Sequence, residues 1–248
     1  MKRSWSGEIQ KLAELESFDA AAFITDAKDK SQQDCGDFVL ALALVFNDIK
    51  GLLAAISLLV EEVPGDRTTP SRELGAFAGV YFQVIRTLFG ALRELLDLVK
   101  REEATHKGPS FQTVVRQMPS NQRKAWAKLV AASEANKSSD PDVNFLIRAR
   151  NAVAYHYETA AIGQGFCRAF KDASDEPFLS RGSTIASTRF YFADRAAQSF
   201  LQLQLGDEDI ESYFSRDPKL IHDIAFALFS VVTGFITSRG CAWRKPAN

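Results

Sequence analysis

Helical periodicity runs along nearly the whole chain. Leu74, Phe77, Tyr81, Val84, Leu88, Leu92, Leu95 and Val99 step by threes and fours, which lays one apolar stripe along a helix of about seven turns. Thr69-Pro70 offers that helix an N-cap and a first-turn proline. Leu220, Ile224, Leu228, Val231 and Phe235 repeat the stripe after Asp217-Pro218, and Gly240 closes it. Asp140-Pro141 opens a further helix, expected to run to about Phe170. Residues 6–16, 18–29, 120–134 and 194–205 read as shorter helices.

Two segments need separate treatment. Phe38–Val60 is apolar nearly all round, but Asn47, Asp48 and Lys50 interrupt it at the centre. Each charge there would cost about 2.5–3.5 kcal/mol in a bilayer, so the segment reads as a central helix touched on every side. Pro177–Ser183 and Thr188–Ala193 alternate at period two, are rich in aromatics and are interrupted by Gly and Ser. That pattern predicts a short β-hairpin near 177–193, inside an irregular insertion at about 172–193. The expected fold is all-α: a helical bundle with long central antiparallel helices. No repeat or Gly/Ser linker divides residues 1–248, so a single domain is expected.

Composition narrows the function classes. Thirty Lys and Arg against thirty-one Asp and Glu leave a net charge of -1, which provides no global pull toward nucleic acid or anionic membrane. The charge is distributed unevenly: from Ala104 to Ser133 there is no Asp or Glu, while Lys107, Arg116, Arg123, Lys124 and Lys128 all fall inside. Such a stripe suits phosphates, and a solvated basic helix face is the plainer reading. The opening residues show no apolar run of a secretion signal. Three scattered cysteines (Cys35, Cys167 and Cys241) argue against a disulfide framework. A cytoplasmic chain without a membrane partner is expected.

Motifs for metal and cofactor chemistry are missing: there is no glycine-rich phosphate loop, no GxSxG and no HExxH. Glu103-Ala104-Thr105-His106 is the single Glu-x-x-His match, where a di-iron bundle needs two. It sits at a helix end beside Lys107-Gly108-Pro109. No metal and no cofactor are therefore expected, and the three histidines are read as acid–base candidates.

Each histidine follows an arginine at similar spacing: Arg101 before His106, Arg150 before His156 and Arg216 before His222. Only Arg150 is followed directly by asparagine, and only Arg150 and His156 share one helical pattern. The run Arg148-Ala149-Arg150-Asn151-Ala152-Val153-Ala154-Tyr155-His156-Tyr157 resembles the signature of the HEPN family (higher eukaryote and prokaryote nucleotide-binding domains). That signature is an arginine, a polar residue directly after it, often Asn, and a histidine four to six positions beyond. The resemblance covers about a dozen residues plus the all-helical setting. It implies an all-helical, usually dimeric protein and, in many members, a metal-independent endoribonuclease of toxin–antitoxin or antiphage systems. On that reading the partners are RNA, a second copy of the chain and an antitoxin-type protein.

The chemistry fits those residue types. RNA is cut when its own 2′-hydroxyl attacks the adjacent phosphate, leaving a 2′,3′-cyclic phosphate. A histidine titrating near neutrality moves the proton, and an arginine fork grips the phosphate and opposes its developing charge. Arg150, His156 and Asn151 are the catalytic candidates, with Asn151 orienting arginine or phosphate. Tyr157 and Arg148 are the substrate-binding candidates. At 100° per residue, Leu146, Ala149, Val153 and His156 share one face, with Arg150 about 120° and Arg148 about 80° from His156. Either arginine can therefore be the functional one, and His156 reads equally as a core histidine satisfied by a neighbour. Asn47, Asp48 and Glu94, set among apolar residues, are expected to pair with Arg148 or Arg150 across the core. A catalytically silent HEPN-like binding module is the alternative to the nuclease.

Overall fold

In a computed structural model, the structure describes residues 17–19, 23, 29–65, 71–152, 159–172, 177–179, 181, 183–184, 188–204 and 219–240; at 149–152, 172, 204 and 219 it describes the backbone alone. Every regular element among them is helical. They are α1 (Lys30–Glu61), α2 (Arg72–Arg101), α3 (Glu103–Lys107), α4 (Pro109–Gln117), α5 (Ser120–Glu134), α6 (Pro141–Ala152), α7 (Thr159–Phe166) with a π-helical continuation at Cys167–Asp172, α8 (Tyr191–Gln204) and α9 (Lys219–Ser238). The all-α expectation holds.

Side chains at the helix starts supply the first-turn bonds. Asp29 Oδ1 accepts from the Gln32 amide at 3.1 Å. Ser71 Oγ accepts from the Leu74 amide at 3.0 Å, so the cap of α2 is Ser71; Thr69-Pro70 lies outside the described residues. Asp140 Oδ1 accepts from the amides of Asp142 (2.9 Å) and Val143 (3.2 Å), with Pro141 in first place. At the far end of α9, Gly240 takes a φ of 74°, the left-handed C′ conformation that glycine reaches without Cβ strain.

The chain divides into two compact units. One holds residues 4–51, 91–147 and 217–248. Its core is aromatic: Phe38 of α1 lies 5.3 Å from Phe111 of α4 and 6.4 Å from Trp126 of α5, ring centre to ring centre. Against this core α9 buries Leu220, Ile224, Leu228, Val231 and Phe235, the stripe expected from the sequence. The other unit holds residues 1–3, 52–90 and 148–216. There α7 crosses α8 at Gly165, where a Cβ would fall on the Ala196 carbonyl oxygen. The Tyr191 ring lies over Gly75, and its hydroxyl donates to the Arg72 carbonyl at 3.1 Å.

Two expectations need correction. No strand forms in the described part of 177–193, and Tyr191–Ala193 is the first turn of α8. Tyr191 is seated on α2, Phe192 N donates to the Phe178 carbonyl at 3.2 Å, and Asp194 pairs with Arg189 Nε at 3.0 Å. These contacts outweigh the β-propensity of the aromatic run. The insertion is likewise helical at both ends, through Asp172 and from Tyr191. The second correction is to α1, which is not covered on every side. It buries Cys35, Gly36, Phe38, Val39, Leu42 and Ile49, but leaves Leu40 47% and Leu44 63% exposed. By length and composition alone, α1, α2 and Leu220–Ser238 of α9 could each cross a membrane.

Candidate functional site

Arg150 and Asn151 lie in the last described turn of α6, which ends at Ala152, where the sequence leads one to expect a helix running on to about Phe170; residues 153–158 lie outside the described residues. Their side chains, and all of His156 and Tyr157, lie outside the described residues. Arg148 is exposed, while Val143, Phe145, Leu146 and Ile147 of the same helix are buried. Leu146 therefore faces inward as its place in the predicted stripe requires, with Arg148 200° away round the helix.

Asn47, Asp48 and Glu94 are solvent-exposed rather than buried in a core. Their apolar flanks misled because the outer face of α1 is itself partly apolar: the exposed Leu40 and Leu44 lie on the same side as Asp48.

The acid-free stretch is less uniform than its composition. Lys107 Nζ sits 2.6 Å from Glu103 Oε1 and 3.0 Å from Glu134 Oε1; these hydrogen bonds, Glu103 first, push its ammonium above the usual lysine range. Lys128 Nζ donates to Asp142 Oδ2, which ties α5 to the first turn of α6 and raises the Lys128 ammonium. Two of the five cations are thus neutralised from outside the stretch.

His106 departs most from its sequence context. The helix-end position suggests exposure, yet His106 lies on α3 at 2% exposure. Its ring centre is 6.4 Å from Phe38 and 6.1 Å edge-on from Trp126. One ring nitrogen bonds the Val99 carbonyl, and Nε2 has no partner. Burial holds its pKa below the usual 6.5, and the Lys107 charge adds to this; Glu134, Glu103 and the Val99 bond pull the other way. The Gln112 amide fixes the His106 carbonyl at 2.8 Å. No substrate reaches such a ring, so His106 is a core histidine. Sequence reasoning missed this, although Phe38, Phe111 and Trp126 carried the signal that an aromatic core was available.

His222 is exposed beside Phe226, 4.3 Å between ring centres. Cys35 is buried, which raises its thiol pKa, and Cys167 is exposed. Among the described residues no group of three His, Cys, Asp or Glu side chains could hold a metal ion. No protein-family model, curated protein or solved structure matches the chain.

Proposed function

We propose that the chain is an HEPN-like endoribonuclease that cuts RNA without metal, with Arg150 and His156 as its catalytic residues. The observation that carries this reading is Arg150-Asn151 at the end of a capped helix in an all-helical chain, with His156 six positions beyond the arginine. Arg150 is taken as the phosphate-gripping arginine because asparagine follows it directly. Burial of His106 supports the choice of histidine, because a histidine sealed among aromatic rings cannot exchange protons with substrate.

In the proposed reaction the ribose 2′-oxygen attacks its own 3′-phosphorus. The 2′-proton goes to a base, the bond from phosphorus to the 5′-oxygen breaks, and a proton is returned to that leaving oxygen. His156 handles one of these protons. Arg150 and Asn151 hold the phosphate oxygens, and Tyr157 and Arg148 position the strand. The protein acts as a cytoplasmic dimer under the control of an antitoxin-type partner.

The test is RNA cleavage by purified protein with EDTA present. His156→Ala is expected to lower the rate by about 10²–10⁴, and Arg150→Ala by at least as much. His222→Ala, at an exposed site, leaves it unchanged. A wild-type chain that binds RNA but never cuts it overturns the nuclease and makes the chain a silent binding module.

A further inference from the structure

Once the internal ion pairs are removed, three of the five cations between Ala104 and Ser133 remain: Arg116, Arg123 and Lys124. All three are exposed, and none makes an ion pair among the described residues. They converge on one corner of the unit that contains α4 and α5. Arg116 lies in the last turn of α4, and Arg123 and Lys124 in the first turns of α5. Arg123 Nη1 donates to the Arg116 carbonyl at 3.1 Å, which fixes the guanidinium at the C-terminal end of α4. A guanidinium has five N–H donors, so this bond leaves most of the fork for a ligand. The residues between them, Gln117, Pro119, Ser120 and Asn121, are exposed and uncharged.

We propose that this α4–α5 corner binds the phosphates of the RNA strand, through Arg116, Arg123 and Lys124 and without Lys107 or Lys128. The choice of RNA among polyanions rests on the ribonuclease reading. Arginine forks match phosphate oxygens two at a time, and three unpaired cations with no carboxylate among them form a complementary surface for a phosphodiester chain. A bilayer fits poorly, because interfacial binding needs apolar side chains beside the cations. Among the described residues, no large apolar side chain of α4 or α5 is exposed.

The experiment measures the anisotropy of a fluorescein-labelled, uncleavable 2′-O-methyl RNA strand against the wild-type chain across a salt series. Arg116→Gln/Arg123→Gln/Lys124→Gln is expected to weaken binding about tenfold or more. It should also flatten the slope of log affinity against log salt by about 2, at about 0.7 per phosphate contact on a single strand. Because Arg123 also holds the end of α4, Arg116→Glu/Lys124→Glu is measured beside it and should weaken binding as well. Lys107→Gln should leave RNA binding unchanged. Unchanged affinity and slope in both multiple variants, with helical circular dichroism retained, overturn the proposal. So does a wild-type chain with no RNA affinity, or a dependence on this corner seen only with an acidic protein. If the wild-type chain cuts RNA while the variants bind it normally, the corner fails and the nuclease stands. Binding through the corner without cleavage gives the reverse.

Discussion

His106→Leu tests the aromatic core through its pH dependence. In the folded chain, burial holds the imidazole below 6.5, so around pH 7.5 the ring is neutral both folded and unfolded. Below 6.5 the unfolded chain takes up a proton that the folded chain refuses, and stability falls as pH falls. Between about pH 7.5 and 5.5 this loss approaches an upper bound of about 1.4 kcal/mol, reached when the folded ring stays neutral throughout. Glu103 adds nothing in that window, because the Lys107 hydrogen bond lowers its pKa further below the ordinary carboxylate value of 4.5. Near pH 7.5 the leucine variant loses the bond to the Val99 carbonyl, worth about 0.5–1.5 kcal/mol, and sheds an unpartnered Nε2 whose burial costs about 1–3 kcal/mol. The variant should therefore match or exceed the wild-type chain, and its advantage should grow by up to about 1.4 kcal/mol toward pH 5.5. Urea unfolding followed by circular dichroism at the two pH values reads both quantities. Parallel pH dependences for variant and wild type would refute the buried, neutral imidazole.

Two glycines of α7 should respond with opposite signs to the same substitution. Gly163 has nothing within 4 Å of its would-be Cβ, so Gly163→Ala should raise stability by about 0.4–1 kcal/mol; at Gly165 the new methyl meets the Ala196 carbonyl and sits 2.9 Å from Phe200 Cβ, so Gly165→Ala should lower it by about 1–3 kcal/mol, and thermal melts showing the same sign for both would sink the α7–α8 crossing. Dimerisation through the α6 segment predicts a sedimenting mass near twice 27.5 kDa at micromolar concentration, and a monomer there would remove the shared-site form of the nuclease proposal.

What the sequence made legible were features that are local. The run at 120–134 becomes α5 with the same bounds, Asp140-Pro141 caps α6, and Gly240 ends α9 in a left-handed turn. Each depends on side chains within a few residues of one another, so spacing and cap chemistry suffice. Several misreadings involve partners elsewhere in the chain. Alternating aromatics near 190 look like a strand until Tyr191 is seen hydrogen-bonded to Arg72, 119 residues away. The basic stripe looks uniform until Glu134 and Asp142 take up Lys107 and Lys128. At the candidate site, the helix start at Asp140-Pro141 was readable from cap chemistry, whereas the exposure of Asn47, Asp48 and Glu94 was not, because burial was inferred from apolar neighbours on faces that turn out to be exposed.

His106 shows why context within one segment can mislead. Lys107-Gly108-Pro109 marks a helix end, and helix ends are usually wet. Here the chain turns so tightly, with the Gly108 amide donating to the Thr105 carbonyl at 3.1 Å, that α4 begins at Pro109. The fold then places Phe111 of α4 and Trp126 of α5 around a core that Phe38 completes from a residue 68 positions earlier than His106. Of the three histidines with an upstream arginine, one is thus committed to the core and one, His222, stands exposed before Phe226. An arginine and a histidine at matching spacing do not themselves make a site. The asparagine directly after Arg150 distinguishes that pair from its two look-alikes.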